Sequence, residues 1–165
     1  MKMKKYLLLF GMIVILWGCT PNNDIMLDQN TSYQIPEEYK VVTTTQNDIE
    51  MYRSFFVNKE ENFMVLYKLL SSSNHLIFIG IGYNTSFEKI KKEILLQSEN
   101  KNILQKSIQN NSFTISFNRD SLTTITHYLR VLDSGNKYLF SVLNKGKTED
   151  STFIKQYIEN QILIN

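Results

Sequence analysis

The chain has 165 residues and a mass of 19.4 kDa, enough for one domain with its own core. Hydrophobic residues make up 42% of it, and this density of apolar side chains excludes disorder for most of the chain. The formal net charge is +2, but Lys2, Lys4 and Lys5 precede a predicted cleavage site, and without them 15 basic residues oppose 16 acidic ones, for a net charge of −1. The mature chain therefore has no basic excess that would indicate nucleic acid as a partner.

The first eighteen residues have the parts of a bacterial export signal. A basic segment, Met1–Lys5, precedes eleven apolar residues, Tyr6–Leu16. As a helix this apolar run would rise about 17 Å, much less than the ~30 Å hydrocarbon layer of a bilayer. The pattern predicts a signal peptide over residues 1–18 rather than a membrane-spanning helix.

The sequence Leu16-Trp17-Gly18-Cys19 resembles the lipobox of bacterial lipoproteins. The resemblance implies cleavage after Gly18, a thioether-linked diacylglyceryl group on Cys19, and acylation of the new amine by a fatty acid such as palmitate. The membrane is then a partner through this anchor. The alternative is an ordinary export signal or a buried N-terminal helix, with a chance cysteine. Because Thr20 is not the aspartate that retains enteric lipoproteins in the inner membrane, the analogy favours the outer membrane, facing the periplasm.

Residues 19–32 are polar and predict a flexible tether, and residues 33–165 predict a single α+β domain. Alternating apolar residues predict successive strands joined by short turns, and hence an antiparallel sheet. The predicted strands are 39–45, 49–57, 63–69, 75–83, 113–117, 122–132 and 137–144, with residues 101–111 left unassigned. Gly135, in the turn between the last two strands, permits a positive φ angle.

Two helices are predicted. Thr85 and Glu88 have the spacing of a capping box and begin a helix that ends near residues 98–100. The residues Ile154, Tyr157, Ile158 and Ile162 predict a C-terminal amphipathic helix. The fold class is therefore α+β, with an antiparallel sheet of about six to seven strands covered by helices.

The segments Phe63–Leu70 and Tyr138–Leu143 carry apolar residues on both strand faces. Each face therefore needs cover. Helices on both sides of the sheet would provide it, and an exposed patch that binds a partner is the alternative.

The mature domain resembles the PsbP-like α-β-α sandwich family, which includes small bacterial lipoproteins. The resemblance lies in Ser32–Val42 with its Ile-Pro, in the helix opening Thr85–Glu88, and in the ending Tyr128–Leu132, Gly135 and Lys137–Ser141. Tyr39 stands where the family prefers Trp. The family has no shared catalytic residues, so the resemblance implies binding or assembly and transfers no site. NTF2-like and other small α+β folds are alternatives.

No residue pattern indicates catalysis. His75 and His127 are the only histidines, and a zinc site needs three or four ligands. His127 shares a predicted strand face with apolar residues, which favours a hydrogen-bonded, half-buried side chain. The segment Gly80–Thr85 follows a strand and precedes a helix, the context of a phosphate-binding turn, but lacks the third glycine and the βαβ setting. Since Cys19 is the only cysteine, an intrachain disulfide and a multi-cysteine metal site are excluded.

These patterns predict a lipid-anchored envelope protein without catalytic residues, metal or cofactor. Its domain is expected to bind an envelope protein or to take part in envelope assembly. The alternative is a carrier or sensor that holds a small ligand in a cleft between sheet and helix, and an envelope enzyme is the third hypothesis.

Overall fold

The computed structural model describes residues 23–54, 63–71, 75–82, 84–145 and 156–164. The predicted signal peptide, with Gly18 and the lipidation site Cys19, lies outside the described residues, as does Ile154 of the predicted C-terminal helix.

Ten strands in the described residues form two antiparallel sheets. The strands are β1 (Asp24–Met26), β2 (Thr31–Gln34), β3 (Tyr39–Val42), β4 (Phe63–Ser71), β5 (Leu76–Gly82), β6 (Ile103–Gln109), β7 (Ser112–Asn118), β8 (Thr123–Val131), β9 (Lys137–Lys145) and β10 (Ile162–Ile164). The large sheet has the order β3-β4-β5-β9-β8-β7-β6, and the small sheet has the order β1-β2-β10. The predicted antiparallel sheet of six to seven strands is confirmed.

A short helix, α1 (Gln46–Arg53), occupies part of the segment predicted as a strand over residues 49–57, so that prediction is wrong for its described part. Thr45 and Asp48 form a capping box that satisfies the free N–H groups of the first turn. Lys68 of β4 donates to Asp48 Oδ1 at 2.7 Å. Burial raises the pKa of Asp48, but the hydrogen bonds from Lys68 and Thr45 outweigh it and the pKa is lowered.

The second helix, α2 (Phe87–Ser98), ends where the sequence predicts, before Asn100 with its φ angle of 62°. Its N-cap is Ser86 rather than the predicted Thr85, since the Ser86 hydroxyl accepts from the Lys89 N–H at 3.1 Å. Ile90 and Ile94 lie one turn apart and are buried against the large sheet.

The predicted C-terminal helix is wrong for residues 159–164, which form a 3₁₀ turn (Glu159–Gln161) followed by β10. Ile162 pairs with Tyr33 of β2 instead of continuing a helical face. The Tyr33 hydroxyl donates to the Tyr157 carbonyl at 2.7 Å, which holds the chain end against β2. Such a pairing joins segments about 130 residues apart, and local apolar spacing does not encode it.

Strands β1 and β2 include residues that the sequence analysis placed in the tether. Ile25 and Leu27 are buried, and the Tyr138 hydroxyl donates to the Leu27 carbonyl. The Ile35 N–H donates to the Asn23 carbonyl at 2.9 Å. The described structure therefore starts at Asn23, and in the sequence residues 20–22 lie between it and Cys19.

The large sheet has a separate core on each face. One core contains α1 and α2 side chains such as Tyr52, Ile90 and Ile94. The other contains side chains of the small sheet, among them Ile25 and Tyr33. Strands β4 and β9 are apolar on both faces because helices cover one face and a second sheet covers the other.

Candidate partner-binding site

Strand β6 is an edge strand of the large sheet, and within the described residues only β7 pairs with it. Ile103 and Ile108 are 46% and 57% exposed on its helix-side face, with Lys106 between them. An edge strand presents unpaired N–H and C=O groups to which an extended segment can hydrogen-bond. The lysine and the register shift after Ile103 are features that restrict nonspecific pairing, so Gln105–Gln109 is the part open to a partner.

On the small-sheet side, the large sheet changes from apolar to polar along its width. One row of paired residues crosses all seven strands: Val41, Leu69, Ile77, Val142, Thr126, Ser116 and Gln105. Ser116 and Thr126 are buried and hydrogen-bonded to each other at 2.8 Å. The polar end of this row lies at β6. The apolar core on this side therefore ends before β6, and Gln105 can be polar.

A polar cleft of about 540 Å³ lies where the β6–β7 hairpin turns. We call it the hairpin cleft, and its lining residues are Gln109, Asn110, Asn111, Ser112, Tyr128, Arg130 and Glu159. Gln109 pairs with Ser112, which in turn pairs with Arg130, so one row of three strands forms its floor. Because Gln109 also ends β6, the cleft continues the exposed edge.

The charges of the hairpin cleft surround one buried phenol. Burial raises the pKa of Tyr128, Glu159 raises it further, and Arg130 and Ser112 partly oppose the rise. Tyr128 therefore stays neutral at physiological pH and serves as a hydrogen-bonding group, not as a base. Amide, hydroxyl, guanidinium and carboxylate groups together suit the backbone and polar side chains of a peptide.

His127 lies in the helix-side core and not in the hairpin cleft. Successive strand residues point to opposite faces, so its ring is directed away from the cleft-lining Tyr128. His127 Nδ1 lies 2.9 Å from Ser141 Oγ, and Nε2 lies 3.1 Å from Gln97 Oε1. A neutral imidazole that accepts from Ser141 and donates to Gln97 satisfies both nitrogens. Burial lowers the pKa of His127 to about 3, which keeps the ring neutral.

The sequence predicts a hydrogen-bonded, half-buried His127, and the structure buries it completely. The hydrogen-bonding prediction is confirmed, whereas the extent of burial is greater than predicted. Its partners come from α2 and β9, and no local pattern marks them.

The other candidate segments lie elsewhere. His75 precedes β5 and is half-buried, and its backbone pairs with Ser71. Gly80 lies in β5 beneath Tyr52: an added Cβ would lie 2.8 Å from Tyr52 Cζ and 3.1 Å from the Met64 carbonyl oxygen. Gly80 is therefore required by packing, in a strand whose neighbours are both antiparallel.

A second polar cleft, of about 610 Å³, separates the β1–β2 loop from the β8–β9 turn. Asp28 and Asp133 line it, and the Ser134 hydroxyl donates to Asp28 Oδ2 at 2.7 Å. In the part of the chain that the structure describes, no three His, Cys, Asp or Glu side chains come together in a way that could hold a metal ion.

No helix among the described residues is both long and apolar enough to cross a membrane. No protein-family model matches the chain, and no curated protein matches it.

Neither the β6 edge nor the hairpin cleft was predicted from the sequence. Residues 101–111 have a mixed polar and apolar pattern that fits neither a helix nor a half-buried strand. That mixture, with a central lysine, is itself typical of an edge strand and is the signal that was available.

Proposed function

We propose that the protein is a lipid-anchored bacterial envelope lipoprotein, attached through Cys19 and placed at the outer membrane facing the periplasm. The basic segment, the apolar run and the Gly18-Cys19 junction support this proposal. The described structure starts at Asn23, which is compatible with this proposal because cleavage after Gly18 removes none of the described residues. Two or more acyl chains would make the attachment effectively stable.

The domain is proposed to bind an extended segment of an envelope protein along β6, without catalysing a reaction. The observation that carries this is the exposed β6 edge, with Ile103 and Ile108 on one face and polar residues on the other. Main-chain hydrogen bonds along the edge would give affinity, and the two isoleucines would select apolar partner side chains. The hairpin cleft at the end of β6 would bind a charged group of the same segment through Arg130 or Glu159.

A small-ligand carrier or sensor is the second candidate. Its support is the hairpin cleft itself, whose volume of about 540 Å³ falls within the usual range for ligand sites. The cleft is polar, so the ligand would be a polar molecule. Arg130→Gln would then weaken ligand binding, whereas substitutions of Ile108 would leave it unchanged.

The anchor is tested by replacing Cys19 with Ser in the full-length chain. We expect loss of labelling by radioactive palmitate and accumulation of an uncleaved precursor. Labelling that persists in this variant would contradict attachment at Cys19.

The partner surface is tested by placing a photo-crosslinking amino acid at Ile108 in cells that produce the protein. Val41 on β3, at the opposite edge of the same sheet, is the matched control because it is also half-exposed. We expect a discrete protein adduct from position 108 that is absent from position 41 and is lost when Ile103 is replaced by Lys. Identical adducts from both edges, or none from position 108, would refute β6 as the binding surface.

A further inference from the structure

The outer face of the small sheet carries two exposed apolar side chains. Met26, Ser32 and Leu163 form one row across β1, β2 and β10. The neighbouring row contains the buried Ile25 and Tyr33, which pack on the large sheet, so the Met26 row faces the opposite way. Met26 and Leu163 are 56% and 38% exposed, while Ser32 between them is buried. Ile164 is also exposed, but it pairs with Thr31 in the row that faces the large sheet and lines the cleft beside the β8–β9 turn, so it is not part of the outer face.

The chain between the proposed anchor and this face is short. Asn23 is four residues after Cys19 and is fixed to the small sheet by its hydrogen bond with Ile35. Four residues span at most about 14 Å when fully extended. A domain of this size has a radius of gyration of about 14 Å, so an anchored domain cannot move clear of the bilayer. The small sheet is the part of the fold attached most directly to the anchor.

We infer that the outer face of the small sheet, with the exposed Met26 and Leu163, lies against the lipid surface that holds the anchor. This inference rests on the proposed lipidation of Cys19. The layers then stack outward from the membrane as small sheet, large sheet and helices. The β6 edge lies at the side of this stack, where a partner segment can reach it.

The contact is apolar rather than electrostatic. Asp24 lies on the same face as Met26, paired with Gln34, and Asp28 follows in the β1–β2 loop. These carboxylates would be repelled by anionic headgroups. Contact is therefore stronger on phosphatidylcholine than on phosphatidylglycerol vesicles at low salt, and the difference decreases as salt is added.

The experiment uses the lipidated full-length product, purified in detergent and reconstituted into phosphatidylcholine vesicles that contain a nitroxide-labelled lipid. Because the Cys19 sulfur is consumed by the anchor, a single introduced cysteine carries the fluorophore. The reporters are Met26→Cys and Leu163→Cys. The control is Lys92→Cys, on the exposed side of α2 and two layers away from the small sheet, about 20 Å at ~10 Å per layer.

We expect quenching several times stronger at positions 26 and 163 than at position 92. Replacing Met26 by Asp with the reporter at position 163, or Leu163 by Asp with the reporter at position 26, is expected to reduce the preferential quenching, and circular dichroism verifies that both variants are folded. Equal quenching at positions 26, 163 and 92 overturns the inference. If the intact mass of the same sample shows that Cys19 is lipidated, the proposed anchor still stands. A free Cys19 in that mass measurement refutes the proposed function itself. The reporters at positions 26 and 163 could instead become shielded from solvent only when an envelope extract is added. That result would show that a protein covers this face and would also overturn the inference.

Discussion

Replacing His127 by Gln is expected to remove a specific part of the acid sensitivity of the fold. The imidazole is fully buried and accepts a hydrogen bond from Ser141 only when neutral. Its pKa is about 3 in the folded protein, compared with an ordinary value of 6.5 in the unfolded chain. Protonation therefore favours the unfolded chain. Stability is complete above pH 6.5 and decreases as the pH falls from 6.5 towards 3.

The magnitude follows from the two pKa values. In that window each pH unit lowers the free energy of unfolding by about 1.4 kcal/mol, so His127 removes about 2 kcal/mol between pH 7 and pH 5. Gln has no titrating group and retains an amide that can hydrogen-bond to Ser141. The His127→Gln variant is expected to be less stable at pH 7 because it loses ring packing, but to lose about 2 kcal/mol less than the parent on acidification.

The assay is urea unfolding followed by far-ultraviolet circular dichroism at pH 7 and pH 5, on a chain that begins at Thr20 and lacks the anchor. Carboxylate contributions are common to parent and variant and cancel in the difference. His75→Gln is the matched control, since it makes the same substitution at the other histidine and leaves the His127 environment in place. If His127→Gln loses as much stability as the parent between pH 7 and pH 5, burial does not keep the pKa of His127 low and the prediction is refuted.

Three further predictions concern packing and capping. Removing residues 20–30 deletes β1 and two buried apolar side chains, and is expected to cost about 3–6 kcal/mol in urea unfolding; unchanged stability would contradict the small sheet. Gly80→Ala should cost about 1–3 kcal/mol through overpacking against Tyr52, with a smaller cost when Tyr52 is Phe; an equal cost in both backgrounds would exclude that contact. Asp48→Asn should cost about 1–2 kcal/mol at pH 7 and progressively less below pH 4, because the folded pKa of Asp48 is lowered; a cost that persists at pH 2 would show that the ion pair with Lys68 is not its source.

Elements with a strong local pattern were predictable. The α2 helix, the β8–β9 turn at Gly135 with φ 82°, and strands β4, β5 and β7–β9 follow from apolar period and turn chemistry. The α1 helix was missed because residues 49, 51, 55 and 57 are apolar at the spacing of a strand, with only Arg53 interrupting the alternation. The spacing of Thr45 and Asp48 is that of a capping box and indicates a helix. In the structure this capping box forms and residues 46–53 are helical.

Long-range pairing was not predictable. Strand β10 is only three residues long. It forms because it pairs with the edge of β2 and because the Tyr33 hydroxyl hydrogen-bonds to the nearby Tyr157 carbonyl. The sequence left two alternatives for the apolar faces of the large sheet, helices on both sides or an exposed patch, and helices cover only one face. That a second sheet provides one of the covers depends on contacts between distant segments. The same reason explains why the hairpin cleft, assembled from β6, β7, β8 and Glu159, has no sequence motif.

The most direct test of the account is the intact mass of the native protein extracted from the envelope of cells that make it. We expect a chain that starts at residue 19 and carries a diacylglyceryl group and one further acyl chain. A mass equal to that of all 165 residues, with an alkylatable thiol at Cys19, would contradict it.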